Sequence, residues 1–237
     1  MENRTIKYVF FDLGLTLVEN AMPERYQKAM SESGFAITVE RAAEIYHLAN
    51  KFFMRERQGE LGKGSRKCFE EYVTCVCALA GDEKKAGQVI ENLVKMEKPV
   101  WKAFDFTQKV LMDLRKGGFG VGLISNWDST CRSVLADNGL DRLLDVIVIS
   151  SEEEVEKPEA RIFEKAVSLA GIEPKECIYV GDNYYDDGVG SAKLGIESFI
   201  INPDGYLGIE ELREKDVNII SDIREIPEKL GLYHTKA

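Results

Sequence analysis

The chain carries five short, unbroken apolar runs, and that feature limits its fold more than any other. They are "IKYVFFD" (6–12), "GVGLIS" (120–125), "DVIVIS" (145–150), "ECIYVGD" (176–182) and "IESFII" (196–201). A strand with one wet face alternates apolar and polar residues, whereas a strand covered on both faces reads as continuous apolarity. Helical periodicity fills the stretches between the runs. Phe106, Val110, Leu111 and Leu114 recur at helical spacing behind Asp105 and Gln108, which predict a capping box. "EARIFEKAVSLAG" predicts a helix that stops at Gly171. Strands alternating with helices predict an α/β fold: a doubly wound, Rossmann-like parallel sheet with its ligand site at the carboxyl ends of the strands.

Residues 20–97 break this rhythm. "VERAAEIYHLANKFFMRE", "RKCFEEYVTCVCALAG" and "EKKAGQVIENLVKM" are helical patterns with no strand signal among them. They predict an all-helical insert of about four helices after the first strand. The expected division is a core of residues 1–18 and 98–237 and an insert of residues 19–97.

Charge narrows the partners. Aspartate and glutamate number 41 against 31 lysine and arginine, a net charge of −10. Binders of nucleic acid or of anionic membranes usually show the opposite balance, so neither partner is expected. An anionic substrate would need a local positive site, such as a metal. "MENRTIKYVFF" is too quickly charged for a signal peptide, and no apolar run approaches the ~18 residues of a membrane span. The five cysteines lack the spacing of common zinc sites and are expected as free thiols, which points to a cytoplasmic setting. Oligomeric state leaves no trace in the sequence.

The polar residues that could carry chemistry cluster at the expected strand ends. Asp12 ends the first run, Ser125 and Asn126 end the second, Lys157 lies in a loop before a helix, and Asp182 and Asp187 sit in "GDNYYDD" after "CIYV". A carboxylate such as Asp12 can attack phosphorus and split one displacement into two. Asp12 and Asp182 together make a hard oxygen site suited to Mg2+. A metal lets an anionic nucleophile approach an anionic phosphoryl group. Lys157 adds positive charge, and Ser125 can donate a hydrogen bond to a phosphoryl oxygen.

In this order, "FFDLGLTL", "GLISN", "EKPEARIFEKA" and "VGDNYYDDGVGSAKLGI" resemble the four motifs of the haloacid dehalogenase-like hydrolase superfamily. The resemblance covers nearly the whole chain, and the insert is similar to that family's helical cap. It implies Asp12 as nucleophile, with Ser125, Asn126 and Lys157 around the phosphate. It implies Asp182 as a magnesium ligand, Asp187 as a second, water-mediated one, and the Gly14 carbonyl facing the metal. The substrate it implies is a small phosphorylated anion.

The departure from the family pattern is Gly14. Phosphatases of the superfamily carry there a second aspartate, which protonates the leaving alkoxide and then activates water. A glycine does neither, and such acid–base help is typically worth 10²–10⁴-fold. Leu15 also replaces a glycine usual at the next position. Three readings follow: a magnesium-dependent phosphohydrolase, a 2-haloacid dehalogenase or carbon–phosphorus hydrolase, and a silent member that binds a ligand or protein without turnover. The retained acids Asp182 and Asp187 favour the first. In the insert, residues 54–68 hold Arg55, Arg57, Lys63, Arg66 and Lys67 and read either as an ordinary charged loop or as a mobile specificity loop.

Overall fold

The structure, a computed structural model, describes residues 5–232. The chain runs β1 (Tyr8–Phe11), β2 (Val18–Glu19), α1 (Met22–Glu32), α2 (Val39–Glu56), α3 (Arg66–Leu79), α4 (Ala86–Lys95), β3 (Lys102–Ala103), α5 (Thr107–Lys116), β4 (Gly120–Ser125), α6 (Cys131–Asp137), β5 (Val146–Ile149), α7 (Ser150–Glu153), α8 (Ala160–Ala170), β6 (Cys177–Gly181), α9 (Val189–Ala192), β7 (Glu197–Ile201), β8 (Asn218–Ile220) and α10 (Glu225–Lys229). It divides into two compact units, one of residues 1–19 and 101–237, the other of residues 20–100. None of the described helices is long and apolar enough to cross a membrane.

The first unit is built on a six-stranded sheet in the order β5-β4-β1-β6-β7-β8. Every pairing in it is parallel. Successive side chains of a strand point to opposite faces, and both faces here are buried. Val9 and Phe11 of β1 join Val121, Leu123 and Val180 under α5 and α6 on one face. Tyr8 and Phe10 join Val146, Val148 and Tyr179 under α8 on the other. That two-sided burial is why the strands read as unbroken apolar runs. The core is α/β, doubly wound and Rossmann-like.

The chain moves from β1 outward to β4 and β5, then crosses back to β6 on the other side of β1 and continues to β7 and β8. The direction of winding therefore reverses beside β1, and a crevice opens at the carboxyl ends of β1 and β6. Three short strands leave no pattern in the sequence. β8 has three residues, too few for a pattern. β2 and β3 form a two-residue antiparallel ribbon, Val18 opposite Ala103 and Glu19 opposite Lys102, through which the chain leaves the first unit and returns to it.

The expected capping box is absent. α5 begins at Thr107, and no side chain caps it. Instead the Thr107 hydroxyl donates to the Leu17 carbonyl at 2.8 Å and its N–H to the Phe104 carbonyl at 2.9 Å. Gln108 reaches the Asn138 carbonyl at 2.9 Å. α8 ends as expected, at Gly171.

The second unit packs α1 to α4 around Tyr26, Met30, Ile45, Phe53, Tyr72, Val76 and Leu93. Thr38 and Ser65 cap α2 and α3 by accepting from the N–H of Arg41 and Cys68. The positive side chains of 54–68 are largely matched within the unit. Arg57 holds Glu60 and Glu71, Arg55 pairs with Glu56, and Arg66 with Glu70. The five cysteines form no disulfide.

Candidate active site

The strand order puts β1 between β4 and β6, so the residues just past their carboxyl ends meet. Asp12 follows β1 and donates its N–H to the Val180 carbonyl at 2.8 Å, which continues the ladder with β6. Its side chain is 13 % exposed. Lys157 comes from the loop between α7 and α8 and is 3 % exposed. Its ammonium donates to Asp12 Oδ1 at 2.8 Å, Asp187 Oδ1 at 2.6 Å and the Tyr179 hydroxyl at 3.0 Å. An ammonium has three N–H groups, and each has a partner here. Burial by itself pushes the Lys157 ammonium toward its neutral form, but the charges of Asp12 and Asp187 outweigh it and hold the pKa well above the usual lysine value.

Asn126 fixes the lysine's backbone. Its Oδ1 accepts from the Lys157 N–H at 2.8 Å and its Nδ2 donates to the Lys157 carbonyl at 2.9 Å. Asn126, expected to meet substrate, is thus placed on Lys157. Tyr179, on β6, was not singled out from sequence. Its hydroxyl donates to the Ile124 carbonyl at 2.8 Å while accepting from Lys157. Burial, and then the charge of Asp187, push its pKa far above the usual tyrosine range, so it stays a neutral phenol.

Asp182 and Asp187 enter from the turn after β6. Residues Tyr184–Gly188 make one π-helical turn. Asn183 organises it: its side-chain oxygen accepts from the Tyr185 N–H at 3.1 Å, and its own N–H donates to Asp187 Oδ2 at 3.0 Å. Asp187 lies so close over Gly181 that any Cβ at that position would overlap its carboxylate, which accounts for the glycine of "VGD". Asp186 is a further buried acid. Its Oδ2 accepts from Asn183 Nδ2 at 2.7 Å, and its Oδ1 is buried without a partner. Burial, and then the neighbouring Asp187 charge, push its pKa up to about 7. The doubled aspartate of "GDNYYDD" was the signal for it.

Carboxylate oxygens of Asp12, Asp182 and Asp187 lie within 4.8 Å of one another. Three converging hard oxygen donors fit a magnesium ion, which takes carboxylate oxygen at about 2.0–2.1 Å and keeps several waters. The three carboxylates share the single ammonium of Lys157 on two of their number, Asp12 and Asp187, and an acid-rich oxygen set of this kind suits a divalent cation. Ser125, at the end of β4, is 1 % exposed, and its hydroxyl meets no hydrogen-bond partner among the described residues.

The turn after Asp12 gives the remaining detail. Leu15 donates its N–H to the Val18 carbonyl and Val18 donates to the Leu13 carbonyl, a bridge that does not use the Gly14 carbonyl. The left-handed residue of the turn is Leu15, at φ 53°, and not Gly14. Gly14 is crowded by two rings instead: a Cβ there would stand 3.2 Å from Trp127 Cζ3, tighter than an ordinary contact, and 3.7 Å from Trp101 Cη2.

The family model for haloacid dehalogenase-like hydrolases matches residues 6–193. The chain belongs to that family of hydrolases. Among its relatives, the glyceraldehyde 3-phosphate phosphatase of Methanothermobacter thermautotrophicus is 28 % identical, over 95 % of this chain and 100 % of its own length. Human N-acylneuraminate-9-phosphatase is 26 % identical over 94 % of this hydrolase and 92 % of its own length. Among solved structures, the L-2-haloacid dehalogenase RSc1362 superposes with a TM-score of 0.60 at 20 % identity, covering 96 % of this hydrolase and 99 % of that chain. Enzymes of both chemistries share the fold, so the fold does not choose between them.

Proposed function

We propose that this hydrolase is a magnesium-dependent phosphohydrolase that acts on a small phosphorylated metabolite through an aspartyl-phosphate on Asp12. The observation that carries the reading is the charge layout around Asp12. Asp12 is ion-paired with Lys157, two further carboxylates converge on it in a set that suits a cation, and an unsatisfied hydroxyl on Ser125 stands ready for a phosphoryl oxygen. A dehalogenase has no phosphoryl group to bring to that acid cluster. The two phosphatase relatives support the same class.

Asp12, Asp182, Asp187 and the Gly14 carbonyl would hold the ion. Bound there, magnesium supplies charge that offsets the phosphoryl oxygens. Lys157 occupies Asp12 Oδ1, which leaves Oδ2 to form the bond to phosphorus. The bond from phosphorus to the leaving oxygen breaks with its electron pair on that oxygen. Ser125 donates to a phosphoryl oxygen where negative charge gathers. Water then attacks the aspartyl-phosphate and returns Asp12 and inorganic phosphate.

The test is steady-state assay of the purified protein with and without magnesium, on a panel of phosphate esters and on 2-haloacids, beside Asp12→Asn. We expect magnesium-dependent phosphate release that Asp12→Asn abolishes without loss of fold. Chloride release from a 2-haloacid, or wild-type rates in Asp12→Asn, would overturn the reading.

A further inference from the structure

The chain has two tryptophans, and both stand beside Gly14. The Trp127 ring lies tight against the place where a side chain at position 14 would begin, and Trp101 meets it edge-on with ring centroids 5.0 Å apart. Both are anchored from within the first unit. Trp127 donates its backbone N–H to Ser150 Oγ at 3.1 Å and accepts from the same hydroxyl at 3.3 Å. Its ring N–H donates to Thr130 Oγ1 at 3.0 Å, and Asp128 in turn accepts from the Thr130 N–H at 2.8 Å. The Trp101 carbonyl accepts from Asn138 Nδ2 at 3.1 Å. The neighbouring Leu13, Leu17 and Val18 are fully buried, whereas both indoles are only partly so. Asp12 stands two residues before Gly14, at the start of the same turn.

We infer that the Trp101–Trp127 pair is a specificity wall at Asp12, which selects phosphate monoesters whose leaving group is planar and apolar, of the aryl or enol type. The inference rests on the phosphohydrolase reading and narrows its substrate class. An indole face takes a planar apolar group through stacking and edge contacts. The wall offers the leaving oxygen no proton, because an indole N–H is too weak an acid to give one up and Gly14 has no side chain. A leaving group on this side must depart with its electron pair unprotonated. Aryloxides and enolates can do so because they are stable anions, whereas alkoxides depend on a general acid. One feature thus sets both the shape and the acidity of what leaves.

Two measurements test it. The first compares 4-nitrophenyl phosphate with acetyl phosphate, which both leave without a proton although only the first carries a ring. Trp127→Leu should lower kcat/KM on the aryl ester about tenfold, the size of one aromatic contact, and leave acetyl phosphate within twofold. Equal losses on both, or none on either, would overturn the wall. The second uses the wild-type protein and needs no turnover. Because the two tryptophans are the wall, their fluorescence reports it directly, and phenylphosphonate should quench it at a concentration at least tenfold lower than methylphosphonate does. Equal responses would overturn the wall. If no phosphate ester is hydrolysed, the phosphohydrolase reading fails by itself. Phenylphosphonate then decides the wall alone: saturable quenching retains it and none removes it.

Discussion

Gly14 stands where the proposed chemistry lacks its acid, and its surroundings are as telling as the missing carboxylate. Restoring a carboxylate there is the obvious experiment, yet the first carbon of the new side chain would press on Trp127 at 3.2 Å, closer than ordinary contact. Gly14→Asp alone should therefore give little gain on alkyl phosphates. Gly14→Asp combined with Trp127→Ala, which clears the ring, should raise the alkyl-to-aryl rate ratio, by up to the ~10²–10⁴-fold of positioned acid–base catalysis. The ratio measured for wild type, both single variants and the double variant checks this. Additive effects would mean that the indole does not stand in the acid's way. None of this was legible in the sequence, where position 14 shows only an absence. The ring that crowds it lies more than a hundred residues away.

At the scale of elements, the three strands β1, β4 and β6 announce themselves because each is buried on both faces. Their terminal residues Asp12, Ser125 and Asp182 were found by the same route. What the pattern hides is cross-strand wiring. Tyr179 reads in the sequence as one more apolar strand residue, yet its hydroxyl ties Lys157 to the Ile124 carbonyl at the end of β4. Asn126 likewise reads as a loop start and serves as the clamp on Lys157. Such roles depend on which loops fold together, and local periodicity carries no information about that. Tyr179→Phe keeps the ring and its edge-on packing against Phe163 but orphans one N–H of a buried ammonium and the Ile124 carbonyl. It should cost about 1–3 kcal/mol in urea unfolding and, under the proposed mechanism, lower kcat more than it raises KM, because the lysine it positions is bonded to Asp12. An unchanged midpoint and unchanged kcat would show that the hydroxyl is idle.

On the scale of the whole molecule, the helical unit is an interruption in a sheet-based unit that is otherwise complete. The division falls after Glu19 and after Val100, a few residues from the breaks expected at 18 and 97, because β2 and β3 draw the flanking residues into the first unit. Replacing residues 20–100 with Asn-Gly, which together with Trp101 closes a three-residue loop between the paired Glu19 and Lys102, should yield a folded, cooperative sheet unit, since every buried residue of its two core clusters lies outside the deleted stretch and a short loop of this length suits an antiparallel ribbon. Circular dichroism and a single unfolding transition check it, and a molten or aggregated product would refute it. The small ribbon also bears on descent. Glu19 and Lys102 face each other across one rung, so an excursion of any length may begin and end at the same point without straining the strands on either side, and loop length adds to closure cost only logarithmically. A gene could therefore lengthen, trade or rebuild everything between those two residues while the placement of Asp12, Lys157 and Asp182 passes unaltered to its descendants.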